Sequence, residues 1–133
     1  MTDDLRIQIL DMHNYRRGLL AQGKVARKNG NYYPTAANMA RMSYDCNLEA
    51  EALSHNRQCP NAKSGSTIVG ENFFRASTSG LVSWADGVYK AVTSWWKVVR
   101  ASSSGVGVTA VTFRQVHVGT EIESWSQVMP YPA

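Results

Sequence analysis

Apolar side chains recur at helical spacing near the start of the chain, at Leu5, Ile9, Met12 and the pair Leu19 and Leu20. That period predicts an amphipathic helix of about five turns ending near Gly23. Thr2 can cap it, and Asp3 and Asp4 fall in the first turn, where the helix dipole favours negative charge. Gly23 to Pro34 has no period and reads as a surface loop. Residues 36–44 predict a short helical turn presenting Met39 and Met42 on one side. Asp45 suits the cap of a second helix, in which Leu48, Ala52, His55 and Cys59 share one face and Pro60 is the stop. Ile68 to Phe74 alternates and is bulky enough for a strand, with Gly70-Glu71-Asn72 inside it. Thr78 or Ser79 would cap the third helix, where Leu81, Ala85, Val88, Val92, Trp95 and Val99 form the strongest periodic signal in the chain. Beyond Ser102 to Gly107, the valines at 106, 108, 111, 116 and 118 read as two short strands.

Helices and strands that do not alternate point to an α+β domain rather than a doubly wound sheet. The 133 residues suit a single domain over 1–133, and 44% hydrophobic against 18% charged side chains is enough to bury a core. No apolar run approaches the ~18 residues of a membrane span, and Met1-Thr2-Asp3-Asp4 is acidic where a signal peptide is basic. The expectation is a soluble chain, either cytosolic or a mature form whose leader has been removed. The net charge of +4 raises the question of nucleic acid, but the cations are scattered and no basic stripe alternates with aromatics, so no nucleic-acid partner is expected.

Motifs for nucleophilic catalysis and for zinc, such as GxSxG, HExxH or paired CxxC, are absent from the sequence. His13, His55 and His117 fall on three different predicted elements and read as hydrogen-bonded structural histidines. Cys46 and Cys59 flank the second helix, whose ends would lie ~18–20 Å apart, too far for a mutual disulfide. Each is therefore free or partnered elsewhere, and the chain has no further cysteine. Glu71 is the carboxylate with the least ordinary setting, between Gly70 and Asn72 in an apolar run. A buried carboxylate requires a partner, so Glu71 is either a structural anchor or part of a site. Trp84, Trp95 and Trp96 read as core and groove packing.

Several segments form an ordered series: His13-Asn14-Tyr15-Arg16-Arg17, Ala36-Ala37-Asn38-Met39 leading into Tyr44-Asp45-Cys46-Asn47-Leu48-Glu49, and Cys59 at the second helix end. Gly70-Glu71-Asn72, Ala91-Val92-Thr93-Ser94-Trp95-Trp96 and Trp125-Ser126-Gln127-Val128 complete it. In this order the segments together resemble the CAP superfamily of cysteine-rich secretory proteins, antigen 5 allergens and pathogenesis-related class 1 proteins, and within it the nematode activation-associated (venom-allergen-like) secreted proteins.

The resemblance implies an α-β-α sandwich with a wide surface groove. Family members with an intact groove hold two His and two Glu there, able to bind a divalent metal. The corresponding positions are Lys63, Glu71, Val98 and Ser124, so three of the four are replaced. Lys63 would repel a cation or neutralise Glu71, and Val98 offers no ligand atom, so neither a metal nor a cofactor is expected. The resemblance also implies a chain short of the family's last strand and cysteine-rich tail, with partners for Cys46 and Cys59 outside it. The function it implies is that of a secreted, extracellular, non-enzymatic protein of a parasitic nematode. Such a protein would bind a host protein or receptor, or a sterol or fatty acid. Two alternatives stand beside it: a hydrolase using Glu71 with His13, His55 or His117, and a structural module that forms a homodimer through its tryptophans or an open sheet edge.

Overall fold

A computed structural model describes residues 1–101 and 115–128 of the chain. Its elements are α1 (Asp3–Ala21), α2 (Cys46–Asn56), a 3-10 turn (Thr78–Gly80), α3 (Trp84–Ala101), a second 3-10 turn (Gln115–His117) and α4 (Ile122–Val128). Of the two short strands expected among the valines from 106 to 118, the part up to residue 114 lies outside the described residues, as does the shortness expected beyond 128. Among the described residues no helix is long and apolar enough to cross a membrane.

α1 forms as its spacing predicts. The Thr2 hydroxyl accepts the Leu5 N–H at 3.4 Å, and the helix closes with the Lys24 N–H on the Leu19 carbonyl and the Gly23 N–H on the Leu20 carbonyl, both at 2.9 Å. This Schellman ending places Gly23 at φ +67°, a conformation that favours glycine. A side chain there would also crowd the Tyr33 carbonyl and Thr35. The chain then turns back through an antiparallel bridge between Ala26 and Tyr32, which lays Val25 and Tyr33 against the end of α1.

Those residues meet α3 and α4 in the core. Leu20, Val25, Tyr33, Val99, Ile122 and Trp125 are buried together, with Leu19, Met39 and Trp96 packed around them. Trp125 is the centre: it is 0% exposed, stacks on Tyr33 at 5.7 Å between centroids and meets Trp96 at 6.2 Å.

Four expectations are corrected. Residues 36–44 are extended rather than helical, tied to α1 by the Asn14 and Arg17 side chains. Ile68 to Phe74 is a loop, because no strand lies beside it among the described residues and the Ser66 hydroxyl takes the Ile68 and Val69 N–H groups instead. The third helix begins later, at Trp84, where the Ser83 hydroxyl accepts the Asp86 N–H at 3.1 Å; Trp84 is then 78% exposed and is not core. The described part of the valine-rich stretch is not strand: Val116 lies in the second 3-10 turn and Val118 in the turn after it, and the helix α4 follows.

α2 keeps its predicted cap, the Asp45 carboxylate accepting from the Asn47 and Leu48 N–H groups, but not its predicted face. Leu48, Ala52 and Cys59 are exposed, and the buried residue of α2 is Glu49. A salt bridge holds this helix to α1: Arg6 donates to both Glu49 oxygens, at 2.9 and 3.1 Å.

Candidate functional site

The loop between α2 and the first 3-10 turn folds against α4. Gly70 lies so close to Gln127 that any side chain there would collide with its amide, and Asn72 donates to the Ser124 carbonyl at 2.8 Å. Between loop and helix is a cleft of about 310 Å³ whose polar walls include Lys63, Ser66, Glu71, Glu123 and Gln127.

Within the cleft each carboxylate has its own partners. Glu71 accepts the Ser64 N–H through both oxygens, at 3.0 and 2.8 Å, and the Ser64 hydroxyl at 2.6 Å. Burial pushes the Glu71 carboxyl up, but the Ser64 bonds outweigh it and, with the charges of His55 and Lys63, hold it below its ordinary range. Lys63 does not bond to Glu71. Its Nζ donates to Glu123 Oε1 at 2.9 Å, while the other Glu123 oxygen accepts the Gly119 N–H at 2.7 Å. These two bonds hold the Glu123 carboxyl below its usual range.

The histidines are engaged elsewhere. Nδ1 of buried His13 donates to the Ile9 carbonyl at 2.7 Å, and the ring lies tilted against Trp95. Nε2 of His55 donates to the Ala62 carbonyl at 3.0 Å. His117 is buried at the second 3-10 turn. Among the described residues, the hydrogen bonds to Glu71 come from Ser64 alone.

A second concavity is larger and more apolar. Met12, Tyr15 and Leu19 from α1 face Tyr89 and Trp96 from α3 across about 630 Å³, with three cations, Arg16, Lys97 and Arg100, and one carboxylate, Asp11, also lining it. Arg16 is fixed in place, donating to the Met12 carbonyl at 3.1 Å and the Thr93 hydroxyl at 3.0 Å, whereas Lys97 and Arg100 are exposed. A groove with aliphatic and aromatic walls and more cations than carboxylates fits an amphipathic anion better than a neutral polar ligand.

Residues 10–119 match the model of the cysteine-rich secretory protein family, CAP. The chain belongs to the CAP family. It is 28% identical over 131 residues to the Ancylostoma secreted protein of Ancylostoma caninum, a match that takes in 96% of this chain and 31% of that relative. The chain thus spans about a third of that relative's length. It is also similar to the crystal structure of NaASP2 with Zn2+, at 33% identity and a TM-score of 0.71, over 80% of this chain and 56% of that one. The CAP resemblance and its nematode secreted-protein branch are thereby established.

The four positions to which the resemblance carries the CAP tetrad do not all line this cleft. Lys63 and Glu71 line the cleft together. Ser124, on α4, does not line the cleft: its carbonyl accepts from Asn72 and its hydroxyl donates to the Glu121 carbonyl. Val98 is half-buried on α3 and is not among the residues lining the cleft. Sequence reasoning passed over Glu123, which partners Lys63. Its signal was its rarity: Arg114, Glu121 and Glu123 are the only charged residues after Arg100. Cys46 and Cys59 are exposed free thiols, Cys59 at φ +48°.

Proposed function

We propose that this CAP protein is a secreted, non-enzymatic binding protein whose ligand is an amphipathic anion of the fatty-acid class, held in the groove between α1 and α3. The carrying observation is that groove, apolar at Met12, Leu19 and Trp96 and cationic at Lys97 and Arg100. Secretion is supported by the relative from Ancylostoma caninum, a secreted protein by name, and a host–parasite setting by the nematode branch. We infer the family's α-β-α sandwich for the domain as a whole.

A non-enzymatic role is supported by the Glu71 cleft. Ser64 occupies its carboxylate where a hydrolase would place an imidazole. The NaASP2 structure was solved with Zn2+, but the residues here do not fit a zinc ion: among the described residues no three His, Cys, Asp or Glu side chains gather into a ligand set, and an ammonium stands in the cleft.

Titration with a fluorescent fatty acid tests the groove. Saturable binding is expected, weakened about tenfold by the double reversal Lys97→Glu and Arg100→Glu. The matching fatty alcohol should be indifferent to the reversal. Absence of saturable binding, or equal binding of acid and alcohol by both proteins, rejects the proposal.

A further inference from the structure

We propose that the C-terminal ends of α1 and α3, with the hairpin closed by the Ala26–Tyr32 bridge, form a docking surface for a linear sulfated polysaccharide. This inference is independent of the lipid groove; its choice of polysaccharide over nucleic acid rests on the secreted reading above.

The first observation is how charge divides along the chain. Residues 12–44 carry six Lys or Arg and residues 87–101 carry three, and neither segment contains an Asp or Glu. The rest of the chain holds all ten carboxylates and five cations. The fold then brings the two segments together. Gln8 donates to the Ala85 carbonyl and Arg16 to the Thr93 hydroxyl, both across 77 residues, while Leu20 and Val99 share the core. α1 and α3 therefore run parallel, and Arg100 lies level with Gly23 at the root of the hairpin. Their N-terminal ends carry Asp3, Asp4 and Asp86. A helix of 19 residues sets those ends roughly 28 Å away, about three screening lengths at physiological salt, so the two ends present separate fields. Three more carboxylates lie on α2 or its cap and two in the cleft of Glu71. The remaining two are Asp11, which lines the groove, and Glu121, exposed ahead of α4.

The cations at the basic end are available. Lys24, Lys28, Lys97 and Arg100 are exposed, and none of them takes part in a salt bridge among the described residues. Complementing the helix dipoles explains Arg100, in the last turn of α3, but α1 has no base in its own last turn. Cations spread over a hairpin and a helix end, rather than converging on one pocket, suit a polymer with repeating anions. Exposed Tyr32 on the same hairpin offers the apolar face of a sugar ring something to rest on. A bilayer fits less well, because the highly exposed Val82 and Trp84 lie at the opposite, N-terminal end of α3 and leave the cations without that wedge.

The test is fluorescence anisotropy of a labelled heparin decasaccharide titrated with the full chain at about 150 mM salt. Saturable binding that weakens steeply as salt rises is expected. Lys24→Glu with Lys28→Glu should weaken it about tenfold. Arg57→Glu with Arg75→Glu makes the same change in net charge on exposed cations outside the surface, and should stay within about twofold of wild type. Far-ultraviolet circular dichroism checks folding, and Lys24→Gln with Lys28→Gln serves if the reversed variant does not fold. Secretion is read separately, by recovery of the native protein outside cells, so its failure and failure here are told apart. The inference is overturned if no saturable binding occurs, if the two reversed variants behave alike, or if the desulfated decasaccharide binds as tightly as the sulfated one. It is equally overturned if single-stranded DNA of equal charge, or vesicles rich in phosphatidylserine, bind more tightly.

Discussion

The side-chain amide of Asn14 pairs with both backbone groups of Met42: Nδ2 donates to the Met42 carbonyl at 3.0 Å and Oδ1 accepts the Met42 N–H at 2.8 Å. One helix side chain thus plays the part of a neighbouring strand and pins the extended segment 36–45 along α1. Buried Arg17, one turn on, continues the attachment by donating to the Ala40 carbonyl. Together they explain why a run with two methionines at helical spacing stays extended.

Asn14→Ala should destabilise the protein by about 1–3 kcal/mol, because it leaves two partly buried backbone groups unpaired. Asn14→Asp should recover little, since a carboxylate accepts the Met42 N–H but faces its carbonyl without a donor. Urea denaturation of the three proteins measures this. An alanine variant as stable as wild type would show that water serves those groups equally well.

Trp125 has no exposed surface and touches both Tyr33 and Trp96. Trp125→Ala should therefore cost about 3–5 kcal/mol through the cavity it leaves, and Trp125→Phe distinctly less. Trp84→Ala is the control: at 78% exposure it should stay within about 0.5 kcal/mol of wild type. Thermal unfolding ranks the three, and a Trp84 variant more damaging than the Trp125 variant would contradict this placement of the core.

Helices α1 and α2 and their caps were legible because Thr2 and Asp45 act within three residues of themselves, and local chemistry is what a sequence displays most directly. α4 was not legible, although Ile122, Trp125 and Ser126 fall at helical spacing; seven residues rich in β-branched neighbours give periodicity little to work on. The Ile68 to Phe74 alternation misled for a tertiary reason. Alternation specifies a strand only if a neighbouring strand supplies the ladder, and here Ser66 and Gln127 meet that loop instead. In the cleft, Glu71 stood out by its apolar neighbours, whereas the Lys63–Glu123 pair spans 60 residues and no local pattern encodes it.

His13 ties stability to pH. Burial lowers its pKa below the ordinary 6.5, assisted by the charges of Arg16 and Arg17, while the bond to the Ile9 carbonyl opposes the shift. The folded protein then binds fewer protons at this site than the unfolded chain. Its contribution is complete above pH 6.5 and is lost as pH falls toward the lowered value. The imidazole resonances of His13 should accordingly titrate with a midpoint below the ordinary 6.5. A midpoint at or above 6.5 would show that its cavity admits water.

The attachment of α2 should fail at a different pH and locally. Glu49 is the residue α2 buries, and its bonds to Arg6 hold its carboxyl below the ordinary value of 4.5, against burial, which pushes it up. A carboxylate depressed in the folded state contributes fully above the unfolded value. That contribution drains away as pH falls from 4.5 through the folded value, because the unfolded chain takes up the proton first. With Leu48 and Leu53 exposed, little apolar burial remains to hold the helix once Glu49 is protonated. Hydrogen exchange, corrected for intrinsic rates, should show the amides of residues 50–56 losing protection about tenfold between pH 5 and pH 3. Those of α1 near Leu20 should change less. Glu49→Gln should show the same loss of protection already at neutral pH, with the near-ultraviolet signal of the Trp125 core unchanged. If α2 stays protected in that variant, a contact other than the Arg6–Glu49 bridge holds it in place.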